Sequence, residues 1–170
     1  MPDDLLELTD AICRPILCHM AARVTAPSAL ETIEALLGGK AVFLRPLRSR
    51  LDLVPLVREG LPYSALEAIG EYLHLSVEAT AKSLGLSSRT LARRKESGQL
   101  DAVESERVVR LAEVAARAAS VFGSDEHARE WMGEPNRALG GARPFDMLDT
   151  DMGAEAVRDV LGRIEHGVFS

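Results

Sequence analysis

The sequence predicts an all-α fold, a bundle of short helices with a helix-turn-helix at its core. Hydrophobic residues make up 46% of the 170 residues but aromatic residues only 4%, so the core must consist of Leu, Val, Ile and Ala. Leu and Ala favour helix, whereas strand formers such as Tyr and Thr are scarce. Helix-capping patterns recur along the chain, and no segment shows the alternation typical of a strand.

Most predicted helices begin at a Ser or Asp that can cap the N-terminus and end near a Gly. Ser28–Glu31, Ser64–Glu67 and Asp101–Glu104 have the spacing of a capping box. We expect an irregular or short extended link at 40–50 and a Gly-, Pro- and Asn-rich loop at 133–144. In chain order, the predicted helices cover residues 5–20 (bent or broken at Pro15), 29–37, 53–59, 64–73, 77–84, 88–96, 102–122, 124–132 and 151–166.

Apolar spacing within these helices predicts which faces are buried. Trp131 and Met132 follow Ala128 at helical spacing, and we interpret them as core residues rather than a binding platform. The apolar face of the last helix comprises Met152, Ala156, Val157, Val160, Leu161 and Ile164.

Composition and motifs argue against several classes of function. The net charge of −6 opposes a protein that coats nucleic acid, although a local basic patch can still bind DNA. Cys13 and Cys18 have no further ligands beside them, and we interpret them as reduced thiols rather than a zinc site. Asp3 follows an N-terminus without basic residues, and no apolar run has membrane-spanning length, so we expect a cytoplasmic protein without membrane contact.

No catalytic motif is recognisable in the sequence. It contains no P-loop, H-E-x-x-H or G-x-S-x-G pattern, and nothing supplies a nucleophile, metal or third group to His166 and Glu165. We therefore predict a protein that is not an enzyme and has no cofactor or metal.

Residues 81–91 have the spacing of a helix-turn-helix. Ala81 supplies the small residue where two helices cross, and four residues later Gly85 permits the positive φ of the turn. Leu84, Leu86 and Leu91 are expected to lie inside and to fix the helix pair.

The outer face of the second helix predicts DNA binding. Residues 87–98 hold four basic side chains and one acid, a local charge of +3 in an acidic chain. A solvated helix face is the alternative, but Arg can read guanine or grip phosphate, and Ser and Thr at a helix start suit phosphate. The predicted DNA-binding residues are Ser87, Ser88, Arg89, Thr90, Arg93, Arg94 and Lys95.

From about residue 30 onwards, the sequence resembles the Xre antitoxins of RES–Xre toxin–antitoxin systems, which share the Xre/MbcA/ParS toxin-binding domain. The likeness lies in residues 53–61 (LVPLVREGL), the helix-turn-helix through Gly98, 122–131, 136–141 (NRALGG), 144–148 (PFDML) and 161–169 (LGRIEHGVF).

This resemblance implies a homodimer that represses its operon and neutralises a RES-domain toxin, an NAD-consuming partner similar in fold to ADP-ribosyltransferases. The C-terminal end would reach the toxin's active site. Residues 124–170 carry a net charge of −5, and an acidic segment is complementary to the basic cleft expected to bind a dinucleotide. Phe169 could instead fold back on its own bundle. The predicted toxin-binding residues are Asp146, Arg163, Glu165, His166, Gly167, Val168, Phe169 and Ser170.

The expected organisation has three parts. Residues 1–60 form a helical segment for dimerisation, 61–123 the DNA-binding domain, and 124–170 the toxin-binding domain. A stand-alone Xre-like regulator without a toxin is the alternative, and it would keep its operator site after losing residues 160–170. Candidate dimer contacts are Leu30, Ile33 and Leu37.

Overall fold

The structure is a computed structural model, and it describes residues 28–167. The predicted helix at 5–20, with Cys13 and Cys18, lies outside the described residues, as do Val168, Phe169 and Ser170.

The described residues form α-helices joined by short turns, which confirms the all-α prediction. Across residues 28–167 the structure contains no β-strand, only an isolated antiparallel bridge between Pro62 and Gln99. Short 3-10 turns lie at Gly39–Ala41, Arg50–Asp52, Arg137–Leu139 and Pro144–Met147. The α-helices are α1 (Ala29–Leu36), α2 (Leu53–Glu59), α3 (Tyr63–Tyr72), α4 (Val77–Ser83), α5 (Ser88–Ser97), α6 (Ala102–Phe122), α7 (Asp125–Gly133) and α8 (Asp151–Glu165).

The predicted caps define most helix starts. Capping boxes form at Ser28 with Glu31 and at Asp101 with Glu104, where each side chain accepts from the backbone N–H of the other residue. The side chains of Ser76, Ser87, Ser124 and Thr150 also accept from the first turns of their helices.

The predicted cap at Ser64 is wrong. Helix α3 begins one residue earlier, at Tyr63, and its N-cap residue Pro62 makes no side-chain cap. The Tyr63 N–H donates instead to the carbonyl of Gly98, 2.9 Å away, so tertiary contact supplies a partner for the helix start.

The core surrounds α6. This helix packs against α1, α2, α3, α7 and α8, and its residues Val108, Leu111, Ala112, Val114 and Ala115 are fully buried. Alanines on the inner face allow neighbouring helices to approach closely. Met132 is buried as predicted, and Trp131 packs partly buried against Phe122, with ring centroids 5.6 Å apart.

Two predictions about apolar surfaces are wrong. Met152 is 83% exposed, because the inward positions of α8's first turn are Gly153 and Ala154. A Cβ on Gly153 would collide with the Met147 carbonyl, so the chain passes too closely for a larger residue there. Of the three predicted dimer contacts, Ile33 and Leu37 are buried in the protein's own core and cannot take part, whereas Leu30 is partly exposed.

Candidate DNA and toxin interfaces

Helices α4 and α5 pack as the predicted helix-turn-helix. Ala81 is 1% exposed at the crossing point, and Gly85 adopts φ +72° in the turn. Leu84, Leu86 and Leu91 are buried as predicted, and the Leu86 N–H donates to the Ala81 carbonyl across the turn. The first residues of α5 are therefore held by packing and by a backbone hydrogen bond.

Helix α5 carries three exposed basic residues, Arg89, Arg93 and Lys95, which we call the cationic face; Arg89 and Arg93 lie one turn apart, and Lys95 lies further round the helix. All three residues are exposed, and none takes part in an ion pair with another described residue. Ser87 caps the helix by accepting from the Thr90 N–H. Ser88 is exposed beside it, so this helix start remains open to a phosphate.

Arg94 differs from its neighbours because its guanidinium points into the protein. Its side chain is 17% exposed, with Nη2 2.5 Å from Asp101 Oδ2 and Nε 2.6 Å from Glu104 Oε2. The Glu104 carboxylate raises the pKa of the Arg94 guanidinium. Burial would raise the pKa of Asp101, but the Glu104 backbone N–H and the charge of Arg94 hold it below its ordinary value. Unlike the cationic face, Arg94 is therefore engaged within the protein.

The C-terminal end of α5 rests on the chain that precedes α3. The Leu100 N–H donates to the Leu61 carbonyl at 2.8 Å, and the Gln99 side-chain amide donates to the carbonyls of Glu59 and Gly60. The Leu61 N–H in turn donates to Ser105 Oγ on α6 at 2.8 Å. These bonds fix the second helix of the motif to the rest of the bundle.

Two arginines of α6 contact the turn of the motif and the C-terminal region. Arg107 Nη1 donates to the Leu84 carbonyl at 2.9 Å, directly before the tight turn. Arg110 is buried, donates to the Leu148 carbonyl at 3.4 Å and pairs with Asp151. The turn of the helix-turn-helix and the C-terminal region are thus supported by neighbouring positions of one helix.

The predicted toxin-binding residues are scattered around the end of the chain. The Asp146 carboxylate forms two hydrogen bonds with the Arg143 guanidinium, at 2.7 and 3.0 Å. Arg163 and His166 are exposed, while Glu165 pairs with Arg117 at 3.1 Å. Gly167 follows at φ +66°, and Val168, Phe169 and Ser170 lie outside the described residues.

Within residues 28–167, no three His, Cys, Asp or Glu side chains gather in a way that could hold a metal ion. No helix in this part of the chain combines the length and apolar character needed to cross a membrane.

Comparison with known proteins identifies both regions. Residues 52–113 match the antitoxin Xre-like helix-turn-helix domain, and residues 117–167 match the antitoxin Xre/MbcA/ParS C-terminal toxin-binding domain. The chain is 35% identical to an antitoxin Xre of Yersinia enterocolitica over 120 residues, 69% of this chain and 81% of the relative. The chain belongs to the Xre antitoxin family.

Other relatives agree with this family. An antitoxin Xre of Photorhabdus laumondii is 35% identical over 127 residues, which cover 74% of this chain and 86% of that protein. A Prs ADP-ribosylating antitoxin of a Sphingobium species is 28% identical over 132 residues, 72% of this chain and 83% of that protein. The resemblance of the sequence to Xre antitoxins is thereby confirmed.

In this Xre-family antitoxin, sequence reasoning missed the inward role of Arg94, although a signal existed. Leu91 is the buried residue of α5, and a position three residues further lies near the same face of a helix. That phase places Arg94 towards the body and Arg93, two residues after Leu91, away from it. The positions of Arg107 and Arg110 gave no such signal for their contacts with the two other regions, because the Leu84 and Leu148 carbonyls and the Asp151 side chain are distant in sequence.

Proposed function

We propose that this Xre-family protein is the antitoxin of a type II toxin–antitoxin system with a RES-type toxin. It neutralises the NAD-consuming toxin by direct binding, and as a homodimer it represses its own operon. The observation that carries the DNA-binding part is the cationic face of α5, exposed on the second helix of the motif in a chain of net charge −6.

DNA binding should depend on individual residues of the cationic face. Arg89→Ala or Arg93→Ala should lower operator affinity by about 1–3 kcal/mol if the side chain reads a base. If the side chain instead neutralises a phosphate, its removal should lower the slope of log K against log salt by about 0.9. The probe is duplex DNA from directly upstream of the gene, titrated by fluorescence anisotropy at several salt concentrations.

Arg163→Ala is the matched control, because Arg163 is also exposed and lies on α8, outside the motif. It should leave both affinity and salt slope unchanged. Unchanged binding in all three variants would refute the assignment of α5 as the recognition helix.

Toxin neutralisation should depend on the end of the chain. Residues 124–170 carry a net charge of −5, opposite in sign to the cationic face. Helix α8 is held by Val157, Val160 and Leu161, all buried, and it ends before Gly167. Deletion of residues 167–170 therefore removes none of these buried residues.

Deleting residues 167–170 should abolish or greatly weaken the complex with a co-expressed RES-domain toxin. Operator binding and Tm should remain those of the full chain. A truncated protein that still protects cells at matched expression would contradict the role of the tail. The acidic face of Asp146, Asp149 and Asp151, beside exposed Met152, would then be the better candidate.

A dimer would present two recognition helices to a palindromic operator. Since Ile33 and Leu37 are buried, we place the contact on the apolar strip of Leu51, Val54 and Val103, which are 76, 40 and 58% exposed beside the groove between α2 and α6. The groove is also lined by Arg58 and Glu106, the opposite charges that a two-fold contact with a second copy can pair.

Light scattering tests this arrangement. The full chain should be a dimer at micromolar concentration, and Val54→Asp should shift it towards monomer. Met152→Asp, at a more exposed apolar position on α8, should leave the dimer intact. A monomer with full operator affinity would count against the dimer, and a dimeric Val54→Asp protein against this interface.

A further inference from the structure

Three consecutive basic residues of α5 divide between two environments. Arg93 and Lys95 are exposed, whereas the Arg94 side chain is 17% exposed and faces the first turn of α6. The three residues have the same charge and adjacent positions in the helix. They therefore differ mainly in their surroundings.

The partners of Arg94 are the two residues that cap α6. The Asp101 N–H donates to Glu104 Oε2 at 2.8 Å, and the Glu104 N–H donates to Asp101 Oδ1 at 2.9 Å. Both carboxylates also contact the Arg94 guanidinium, Asp101 through Oδ2 and Glu104 through Oε2. The side chain of Glu104 is only 8% exposed, so its charge depends on this ion pair.

This cluster spans the joint between the two helices. Only four residues, 98–101, separate the end of α5 from the start of α6, and Gly98 in this joint has φ +72°. Ser97 Oγ also donates to the Arg94 carbonyl at 3.2 Å, so the backbone of Arg94 anchors the same joint. A side chain that ties α5 to the acidic cap of α6 restricts the angle between the helices.

Nη2 and Nε of Arg94 are engaged by Asp101 and Glu104, so contact with DNA through these donors would require the guanidinium to leave both carboxylates. The buried Glu104 would then keep an unpaired charge, which is strongly unfavourable. The two freed acids would also repel the phosphate backbone. Both effects oppose a direct DNA contact by Arg94.

We infer that Arg94 is a positioning residue, which sets the orientation of the recognition helix through the acidic cap of α6 and does not contact DNA. The inference rests on the proposed operator binding. It predicts that Arg94 contributes to affinity without contributing to counterion release, and that Glu104 assists DNA binding although it is an acid.

The test is a set of operator titrations over a range of salt concentrations, with the full chain and the upstream duplex as the probe. Arg93→Gln should lower the salt slope by about 0.9 if Arg93 contacts a phosphate. Arg94→Gln should reduce operator affinity by about tenfold, because that is the scale of one charge-assisted hydrogen bond. The salt slope should remain unchanged. Arg94→Lys keeps the positive charge but loses the planar guanidinium that can donate to two carboxylates, so it should show the same pattern.

Substitutions at two acidic positions provide a second comparison, because each removes a negative charge rather than a positive one. Glu104→Gln preserves the capping box, which accepts Gln, but removes the ion pair. It should reduce affinity, and its effect should not add to that of Arg94→Gln. Glu96→Gln removes an exposed acid from α5 and should leave affinity unchanged or raise it.

Amide hydrogen exchange provides a readout that is independent of DNA. Exchange at residues 97–100 should accelerate in Arg94→Gln and Glu104→Gln but not in Arg93→Gln. A salt slope that falls in Arg94→Gln as in Arg93→Gln, or higher affinity in Glu104→Gln, would overturn the positioning role alone. No binding by the wild-type chain would overturn the proposed operator binding and the inference with it.

Discussion

Gly60 and Gly98 lie on opposite sides of the contact between the end of α5 and the chain before α3, and their substitution by Ala should have very different effects on stability. Gly60 has φ +94° and ψ 127°, a conformation that essentially only Gly adopts, and a Cβ there would collide with the Leu100 carbonyl. Gly98 has φ +72° and ψ 4°, and a Cβ there would meet nothing within 4 Å. The two substitutions add the same methyl group.

The expected costs follow from these surroundings. Gly98→Ala should lower the free energy of unfolding by about 1 kcal/mol, the cost of a left-handed residue with a Cβ. Gly60→Ala adds about 1–3 kcal/mol of backbone strain. Relief of the collision must also disturb the bond from the Leu100 N–H to the Leu61 carbonyl, at about 1–3 kcal/mol. We therefore expect a total of about 3 kcal/mol or more for Gly60→Ala.

Urea unfolding measures both variants, with the free energy extrapolated from the transition midpoint and the slope m. The slope should stay constant in Gly98→Ala, so the midpoint shift reports stability directly. Equal losses in the two variants would refute the expected difference, because only Gly60 combines a Gly-only backbone conformation with the close approach of Leu100.

Three further substitutions test other contacts. Ser105→Ala removes the acceptor of the buried Leu61 N–H and should lower the free energy of unfolding by about 1–3 kcal/mol in urea. Met152→Lys should change it by less than about 0.5 kcal/mol, because the side chain is exposed; a large loss would contradict that exposure. Burial, and then the hydrogen bond to Asp125, raise the pKa of Tyr72 far above its ordinary value. Unfolded Tyr ionises near pH 10 while folded Tyr72 stays neutral, so the stability of the wild type over Tyr72→Phe should be present below pH 10 and decline above it. Paired urea titrations at pH 7 and above pH 10 check this, and a constant difference would refute it.

The helices and most caps were predictable because their signals are local. Ser28 with Glu31 and Asp101 with Glu104 lie within one turn of each other, and the structure forms both capping boxes. Ser64 with Glu67 has equivalent spacing, yet α3 begins at Tyr63 because the Gly98 carbonyl accepts its N–H. A contact between residues 35 positions apart in the sequence overrode the local pattern there.

The buried and exposed faces of the helices were predicted less well than the positions of the helices, since the burial of a face depends on what packs against it. Met152 fits the apolar periodicity of α8, but the close approach of Met147 to Gly153 turns the first turn so that Met152 faces solvent. Arg94 fits the basic pattern of α5, and only the position of the α6 cap distinguishes it from Arg93. Sequence therefore predicted the motif and its charge but assigned all four basic residues to one role.

Helix α6 explains why the two regions should not be considered independent. The family matches end at residue 113 and resume at 117, both within α6, so one continuous helix serves both. Its first turn holds Arg94, Arg107 supports the motif's turn, and Arg110 reaches the segment before α8. A bend or shift of α6 would therefore alter the support of α5 and of the C-terminal region together. The same helix therefore contacts the second helix of the motif and forms the first part of the toxin-binding domain.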